Sequence, residues 1–172
     1  DMHGDSVSGP VWSFYAMGSL PCGEQITDID GNVYNTIEIG NQCWMKENLK
    51  VTHYADGTPI PLVESTTEWD ALGVDEKAYC WYDNSTANRD IYGGLYTWAT
   101  AMNGYSSSNT NPSGIQGVCP DGWHLPSDNE WKELEMFLGM SQAEADNADQ
   151  RGTDEGGKLK EAGTANWSIP NT

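Results

Sequence analysis

Oxygen-bearing side chains are densest in residues 83–90, which read Asp-Asn-Ser-Thr-Ala-Asn-Arg-Asp. Hard cations such as Ca²⁺ are bound by several carboxylate, amide and carbonyl oxygens at once. We therefore take calcium as the candidate cofactor, with four candidate ligands: Asp83, Asn84, Asn88 and Asp90. The alternative is a plain solvated surface loop, which has the same polar composition.

The histidines do not indicate a catalytic site. His3, His53 and His124 lie far apart, and no signature joins any of them to a nucleophile. No glycine-rich phosphate loop precedes a helix. His124 lies between Trp123 and Leu125, so we expect a hydrogen-bonded core histidine there. We predict that the protein is not an enzyme.

The charge and composition restrict the partners. Acidic residues outnumber basic residues by 26 to 8, which gives a formal charge of −18. Nucleic acids and anionic membranes would be repelled, so we expect neither as a partner. No run approaches the ~20 apolar residues that span a bilayer. Eight Trp and eight Tyr suit a small, loop-rich extracellular fold, and they also suit surfaces that stack on sugars.

The chain has four cysteines and no Cys-x-x-Cys motif. In an acidic chain rich in Gly and Asn, this favours an oxidising compartment and two disulfides over a zinc or redox site. The spacing alone leaves all three pairings open. We therefore expect a secreted protein that is extracellular or on the cell surface.

The clearest structural element is a helix that begins after Ser127. The Ser127 hydroxyl can cap the first turn, and Glu130, three residues later, can complete a capping box. Before it, residues 120–122 predict a tight turn that lets residues 123–125 fold back as a short, buried, extended segment. An apolar stripe at helical spacing then follows: Trp131, Leu134, Phe137 and Leu138.

Residues 26–46 alternate in polarity and predict a β-meander. Asp28, Asp30 and Asn32 resemble the start of a calcium loop, but an EF-hand needs glycine at its sixth position. Gly31 stands at the fourth, so a hairpin turn is the better interpretation.

Shorter elements are predicted along the rest of the chain. These are strands at 51–54 and 78–82, a two-turn helix capped by Ser65, a buried helix at 95–102, a long loop at 104–117 and a polar helix near 142–150. The fold class that follows is α+β, with small antiparallel sheets and two or three short helices.

Residues 1–25 are expected to be an N-terminal extension of a domain formed by residues 26–172. The extension contains a β-prone apolar run with four candidate assembly residues: Val11, Trp12, Phe14 and Tyr15. One alternative is a strand that pairs with its own domain. The other is a strand donated to a neighbour, as in strand-complemented surface fibres, with a copy of the chain or another surface protein as partner.

Four ordered blocks of the sequence resemble one family. They are 119–139 (CPDGWHLPSDNEWKELEMFLG), 27–49, the pair 78–84 and 92–98, and 156–167. The chain resembles the Fibrobacter succinogenes major paralogous domain, a secreted bacterial domain, over about residues 26–172. That family is similar in pattern to the C-type-lectin-like and formylglycine-generating-enzyme-like folds. The resemblance therefore implies a C-type-lectin-like fold.

The resemblance also bears on the cysteines. Cys80 and Cys119 lie in family blocks, whereas Cys22 lies outside them and Cys43 stands where the family pattern has another residue. The expected disulfides are therefore Cys22–Cys43 and Cys80–Cys119. The family often has Asp-Asn-Asp in the candidate calcium loop, and Ser85 takes the third place here, which removes one carboxylate.

Two further expectations come from resemblance. The family pattern continues past Trp167 into blocks that this chain lacks, so we expect a domain that is incomplete at its C-terminus. Either the chain is truncated or another chain supplies the missing strands. Asp5-Ser6-Val7 resembles the O-glycosylation acceptor pattern of Bacteroidetes, which makes Ser6 a candidate glycosylation site in a glycoprotein.

Two classes of function remain after these exclusions. The first, which we favour, is a structural or adhesive subunit of a bacterial surface, in a filament or pilus-like assembly. The second is a glycan-binding, lectin-like module that uses exposed Trp and Tyr faces together with Asn and Asp hydrogen bonds.

Overall fold

In the described part of the chain, the strands are short and pair as four separate two-stranded antiparallel sheets. The computed structural model describes residues 15–16, 22–148 and 150–160. Its strands are β1 (Tyr15–Ala16), β2 (Ile26–Thr27), β3 (Val33–Tyr34), β4 (Thr36–Ile39), β5 (Gln42–Met45), β6 (Tyr79–Trp81), β7 (Gly94–Tyr96) and β8 (Trp123–His124). The pairs are β1 with β8, β2 with β3, β4 with β5 and β6 with β7.

Short helices connect and cover these strands. The described α-helices are α1 (Thr66–Asp70), α2 (Arg89–Tyr92), α3 (Trp98–Met102), α4 (Asp128–Phe137), α5 (Gln142–Ala145) and α6 (Glu155–Lys158). The prediction of two or three helices was therefore too low. Helices of a single turn carry too few residues to show a hydrophobic period, so sequence periodicity does not detect them. No helix in the described part of the chain is long and apolar enough to cross a membrane.

The predicted capped helix is α4, and its capping box is confirmed. The backbone N–H of Glu130 donates to Ser127 Oγ at 3.2 Å, and the Ser127 N–H donates to Glu130 Oε2 at 2.9 Å. Leu134 is buried as predicted, but Phe137 is 63% exposed. Phe137 lies instead over the turn at Gly40, where an added Cβ would meet its ring at 3.0 Å.

The β4–β5 hairpin lies between α4 and the main core. Ile37 pairs with Trp44, and the Trp44 ring contacts the Trp131 ring at a centroid distance of 5.0 Å. On the other face of the hairpin, Met45 is fully buried in the core. The core is rich in aromatic side chains, which are Tyr34, Tyr54, Tyr79, Trp81 and Trp123.

The predicted helix at 95–102 is only half right. Residues 94–96 form β7, and the helix starts at Trp98 after Thr97, whose Oγ accepts a hydrogen bond from the Thr100 N–H at 3.3 Å. The reason is tertiary: β7 pairs with β6. It enters through Gly93, whose φ is +69° and where an added Cβ would stand 2.6 Å from the Leu49 carbonyl oxygen.

Two other predicted elements are shorter than expected. The strand at 51–54 is reduced to a single bridge between His53 and Pro59. The polar helix near 142–150 ends at Ala145, although its predicted capping box between Ser141 and Glu144 is confirmed. Polar residues after Ala145 give no apolar stripe that packing could stabilise.

One predicted disulfide is confirmed and the other is wrong. Cys22 and Cys43 are bonded, with their Cα atoms 5.7 Å apart. Cys80 and Cys119 are buried free thiols. Side chains alternate along a strand, and the neighbours of Cys80 in β6, Tyr79 and Trp81, point into the core that contains Cys119. Cys80 therefore faces the opposite side of β6, away from Cys119.

Peptide mapping without reduction should show Cys22 linked to Cys43 and two free thiols. Burial raises the pKa of the Cys119 thiol well above its ordinary value and also raises the pKa of Cys80. Both thiols should therefore resist iodoacetamide in the native protein and react after denaturation. A peptide that joins Cys80 to Cys119 would contradict the structure.

Candidate functional site

The turn between β2 and β3 is held by the side chain of Asp28. Its Oδ1 accepts the backbone N–H groups of Asp30 at 3.0 Å and Asn32 at 2.9 Å, and its Oδ2 accepts the Tyr34 hydroxyl at 2.7 Å. Gly31 completes the turn with φ +81°. The sequence-based preference for a turn over an EF-hand is confirmed, because the donors of the turn itself occupy the Asp28 oxygens.

Asp30 is part of the same turn, but its side chain binds a segment 22 residues further along the chain. Its Oδ2 accepts the Thr52 N–H at 2.5 Å, and its Oδ1 lies 2.5 Å from Nδ1 of His53. Burial by itself would raise the pKa of the Asp30 carboxyl, but the hydrogen bonds from Thr52 and His53 outweigh it and lower that pKa. Because Nδ1 donates to Asp30, Nε2 is the ring nitrogen of neutral His53 that can accept another hydrogen bond.

His53 borders a cavity of about 220 Å³, which we call the His53 cavity. Its walls are partly apolar, formed by Ile29, Val51 and Val118, and Asp121 lies at the same opening. His53 is half exposed there, with 42% of its side chain accessible. The arrangement therefore offers hydrogen-bond acceptors beside an apolar wall.

The His53 cavity has part of the geometry of a catalytic site. An Asp–His pair orients a base in many hydrolases, but nucleophilic catalysis also needs a hydroxyl or thiol within hydrogen-bond reach of Nε2. No such contact to Nε2 is found among the described residues. Cys119 borders the cavity, but it is fully buried and burial raises the pKa of its thiol, which keeps it protonated. The chemistry that the geometry supports is binding.

A second His–carboxylate pair is fully buried at the start of α4. Nε2 of His124 lies 2.8 Å from Oε1 of Glu130, and Glu130 Oε2 accepts the Ser113 N–H at 3.0 Å. Burial alone would raise the pKa of Glu130, but the hydrogen bonds from His124, Ser127 and Ser113 lower it. His124 is the core histidine that the sequence predicted. Neither side chain is open to a ligand, since both are at most 3% exposed.

The structure does not bring the four candidate calcium ligands together as a ready site. Oδ1 of Asp90 is paired with Nζ of Lys50 at 3.0 Å, and Nδ2 of Asn88 donates to the Tyr82 carbonyl at 2.9 Å. Asp83 and Asn84 are exposed on the loop, with φ values of 55° and 48°. No group of three or more His, Cys, Asp or Glu side chains in the described ranges could hold a metal ion. Calcium at this loop stays a prediction.

The candidate assembly residues are described only in part. Tyr15 lies in β1 and pairs with His124, and Ala16 pairs with Trp123. Among the described residues of the N-terminal run, this matches the alternative in which the strand pairs with its own domain. Three candidate assembly residues and the candidate glycosylation site lie outside the described residues: Val11, Trp12, Phe14 and Ser6.

The pairing of Asp30 with His53 escaped the sequence analysis. The two residues lie 23 positions apart, on a turn and on an irregular segment. No periodicity or motif joins them. The only local signal was the abundance of turn-forming residues around Asp30, which predicts the turn and not its partner.

Comparison with known proteins gives one match. A family model described as the Fibrobacter succinogenes major domain matches residues 37–172. No curated protein and no solved structure matches the chain significantly.

Replacing Asp30 should show how much its contacts with Thr52 and His53 stabilise the fold. We expect Asp30→Asn to lower the free energy of unfolding by about 1–3 kcal/mol at pH 7, because the partly buried donors of Thr52 and His53 lose their charged acceptor. The pKa of Asp30 is lowered by folding, so its contribution is complete above the ordinary Asp value of ~3.9 and is lost as the pH falls below it. Urea unfolding at pH 7 and at about pH 3 measures the difference.

The control for this experiment is Asp75→Asn, at an exposed position. It should leave the urea midpoint at pH 7 nearly unchanged. If Asp30→Asn behaves like Asp75→Asn, the Asp30 contacts do not stabilise the fold.

The two capping boxes provide a matched pair for a second test. Glu130 and Glu144 make the same cap, but Glu130 is buried and also binds His124, whereas Glu144 is exposed. We expect Glu130→Ala to cost about 3–5 kcal/mol, since it leaves buried donors without a partner. Glu144→Ala should cost much less. If urea unfolding shows that both variants lose the same free energy of unfolding, the buried contacts of Glu130 add nothing to its cap.

Proposed function

The chain belongs to the Fibrobacter succinogenes major domain family, and for this member we propose a non-catalytic, extracellular role as a structural or adhesive subunit of a bacterial surface assembly. The observation that carries this proposal is the pairing of β1 with β8. β8 lies inside the family-matched residues 37–172, and β1 lies outside them. The N-terminal extension thus adds a strand to an edge of the family domain.

Such a strand is suited to exchange between copies. Antiparallel pairing of Tyr15 with His124 and of Ala16 with Trp123 is made by main-chain groups. The same segment of a second copy can make the same hydrogen bonds, which is the basis of strand addition and of domain swapping. We propose that neighbouring copies exchange β1 in this way, as in a filament.

The disulfide sets the length of the exchanged arm. Cys22 is bonded to Cys43 of β5, so residue 22 stays with its own domain. Tyr15 is seven residues before this anchor, and seven residues span at most about 25 Å. Exchange is therefore restricted to copies that place β8 within about 25 Å of the Cys22 anchor of the donor. This supports an assembly in which short N-terminal arms connect neighbouring copies.

The extracellular location and the finer fold class belong to the same proposal. A disulfide such as Cys22–Cys43 persists in oxidising compartments outside the cytosol. A C-type-lectin-like arrangement is supported by the small antiparallel sheets and by α4, whose capped start is the part of the sequence that carries the resemblance. An experimental structure compared with lectin-like domains tests that assignment.

A second candidate function is glycan binding. Tyr82 is 47% exposed and meets Tyr92 edge to face at a centroid distance of 5.2 Å. Exposed Asp83 and Asn84 follow Tyr82 directly. Aromatic faces beside amide and carboxylate groups are suited to the apolar faces and hydroxyls of sugars. The strand pairing is the more specific observation, so assembly remains the primary proposal.

The assembly proposal is tested with backbone variants of β1. Proline lacks the N–H that a strand donates, so Ala16→Pro should weaken docking of the arm. Ala16→Val keeps the N–H and favours a strand, which makes it the matched control. We expect the wild type and Ala16→Val to form oligomers or fibres by light scattering and negative-stain imaging. Ala16→Pro and deletion of residues 1–20 should give monomers.

An unchanged oligomeric state in both Ala16→Pro and the deletion variant would reject exchange of β1. A monodisperse wild-type monomer that binds a glycan array, and loses that binding in Tyr82→Ala, would favour the second candidate. Near-UV circular dichroism on every variant separates loss of assembly from loss of fold.

A further inference from the structure

The His53 cavity is a site that the strand-exchange proposal does not use. Two of the side chains that line it, those of Asp121 and neutral His53, carry hydrogen-bond acceptors. Oδ1 of Asp121 accepts Nε2 of Gln116 at 3.0 Å, and no described residue donates to its Oδ2. Nδ1 of His53 is held by Asp30, so Nε2 is left as an acceptor when the ring is neutral. The cavity therefore suits a ligand that donates hydrogen bonds.

The carboxylates at the cavity are not balanced by a lysine or an arginine. Asp28 and Asp121 both border it, and none of the described residues that line it is Lys or Arg. The oxygens of Asp28 are filled by donors of its own turn, so Asp28 contributes negative charge and no free acceptor. The formal charge of −18 on the whole chain adds to this potential. A cationic donor is favoured over a neutral or anionic one.

The apolar walls restrict the shape of the ligand. Ile29, Val51, Val118 and Pro120 line the cavity, and its volume is about 220 Å³. This lies below the ~300 Å³ at which pockets for drug-sized ligands begin. A space of this size with apolar walls and acceptors suits an alkyl stem that ends in a charged head, as in lysine.

We propose that the His53 cavity binds a lysine side chain of a partner polypeptide. The methylene stem packs on the exposed Ile29 side chain, beside Val51 and Val118, and the ammonium group donates to the Asp121 carboxylate and to Nε2 of His53. Lysine has three donors and no acceptor, which matches the acceptors at the opening. This proposal is independent of the exchange of β1.

The test uses three small probes and the full chain. Nα-acetyl-lysine methylamide carries the proposed group, and the norleucine methylamide has a similar alkyl stem without the charge. Methyl glucoside represents a neutral polyol. We expect saturable NMR shift changes at the Val51 and Val118 amides and at the His53 ring with the lysine probe. The changes should weaken as salt is added, because the attraction is partly electrostatic.

Variants then test whether the Asp121 carboxylate binds the lysine probe. Asp121→Asn removes the charge at an exposed position, and we expect it to weaken binding of the lysine probe about two- to fivefold. Asp75→Asn, which is exposed and does not line the cavity, is the charge-matched control and should leave binding unchanged.

Several results would overturn the proposal. They are equal binding of the norleucine probe or the glucoside, shift changes outside the cavity, or lysine binding that Asp121→Asn and Asp75→Asn affect equally. Absence of saturable binding by the lysine probe would overturn it as well. None of these outcomes depends on whether β1 is exchanged between copies.

Discussion

The buried carboxylate of Glu130 is the interaction on which the arrangement of this fold depends. It accepts hydrogen bonds from Ser127 at its own helix start, from His124 in β8 and from Ser113 in the long loop. A carboxylate that is fully enclosed by protein is costly unless its partners are all present. The cap of α4 is therefore coupled to the docking of β8 and of the loop. The same carboxylate that caps the helix also fixes its tertiary contacts.

The contacts of Glu130 and its helix position two surfaces. On one side, α4 lies on the β4–β5 hairpin, where Nε2 of Gln42 donates to the Glu130 carbonyl at 3.0 Å and Trp44 meets Trp131. On the other side, His124 fixes β8, whose edge accepts β1. The edge that we propose for exchange is thus held in place by the buried hydrogen bond between His124 and Glu130. A rigid acceptor reduces the ordering cost when an arm docks.

Sequence reasoning succeeded where the determining contacts are local. The cap of α4 follows from the three-residue spacing of Ser127 and Glu130, and the turn at Asp28 follows from its own neighbours. It failed where a distant partner decides. Leu95 and Tyr96 begin an apolar run that the sequence assigns to a helix, but pairing with β6 makes residues 94–96 a strand.

The cysteines show the same division. The sequence indicated Cys22–Cys43 through a resemblance, and the structure contains that bond. Cys80 and Cys119 each lie in a block of the resemblance, yet strand alternation turns Cys80 away from Cys119. Which face of a strand a residue occupies is set by register, and register depends on a partner strand that the sequence does not name.

Assembly of copies that each carry a formal charge of −18 needs a contact that does not depend on complementary surfaces. Main-chain pairing meets this need, because its hydrogen bonds are independent of side-chain charge. Repulsion between exposed charges is screened beyond about 8 Å at physiological ionic strength. An arm that reaches up to about 25 Å from the Cys22 anchor spans several screening lengths. The acidic bodies can therefore stay apart while the strands connect them, which lets one chain be both highly soluble and self-associating.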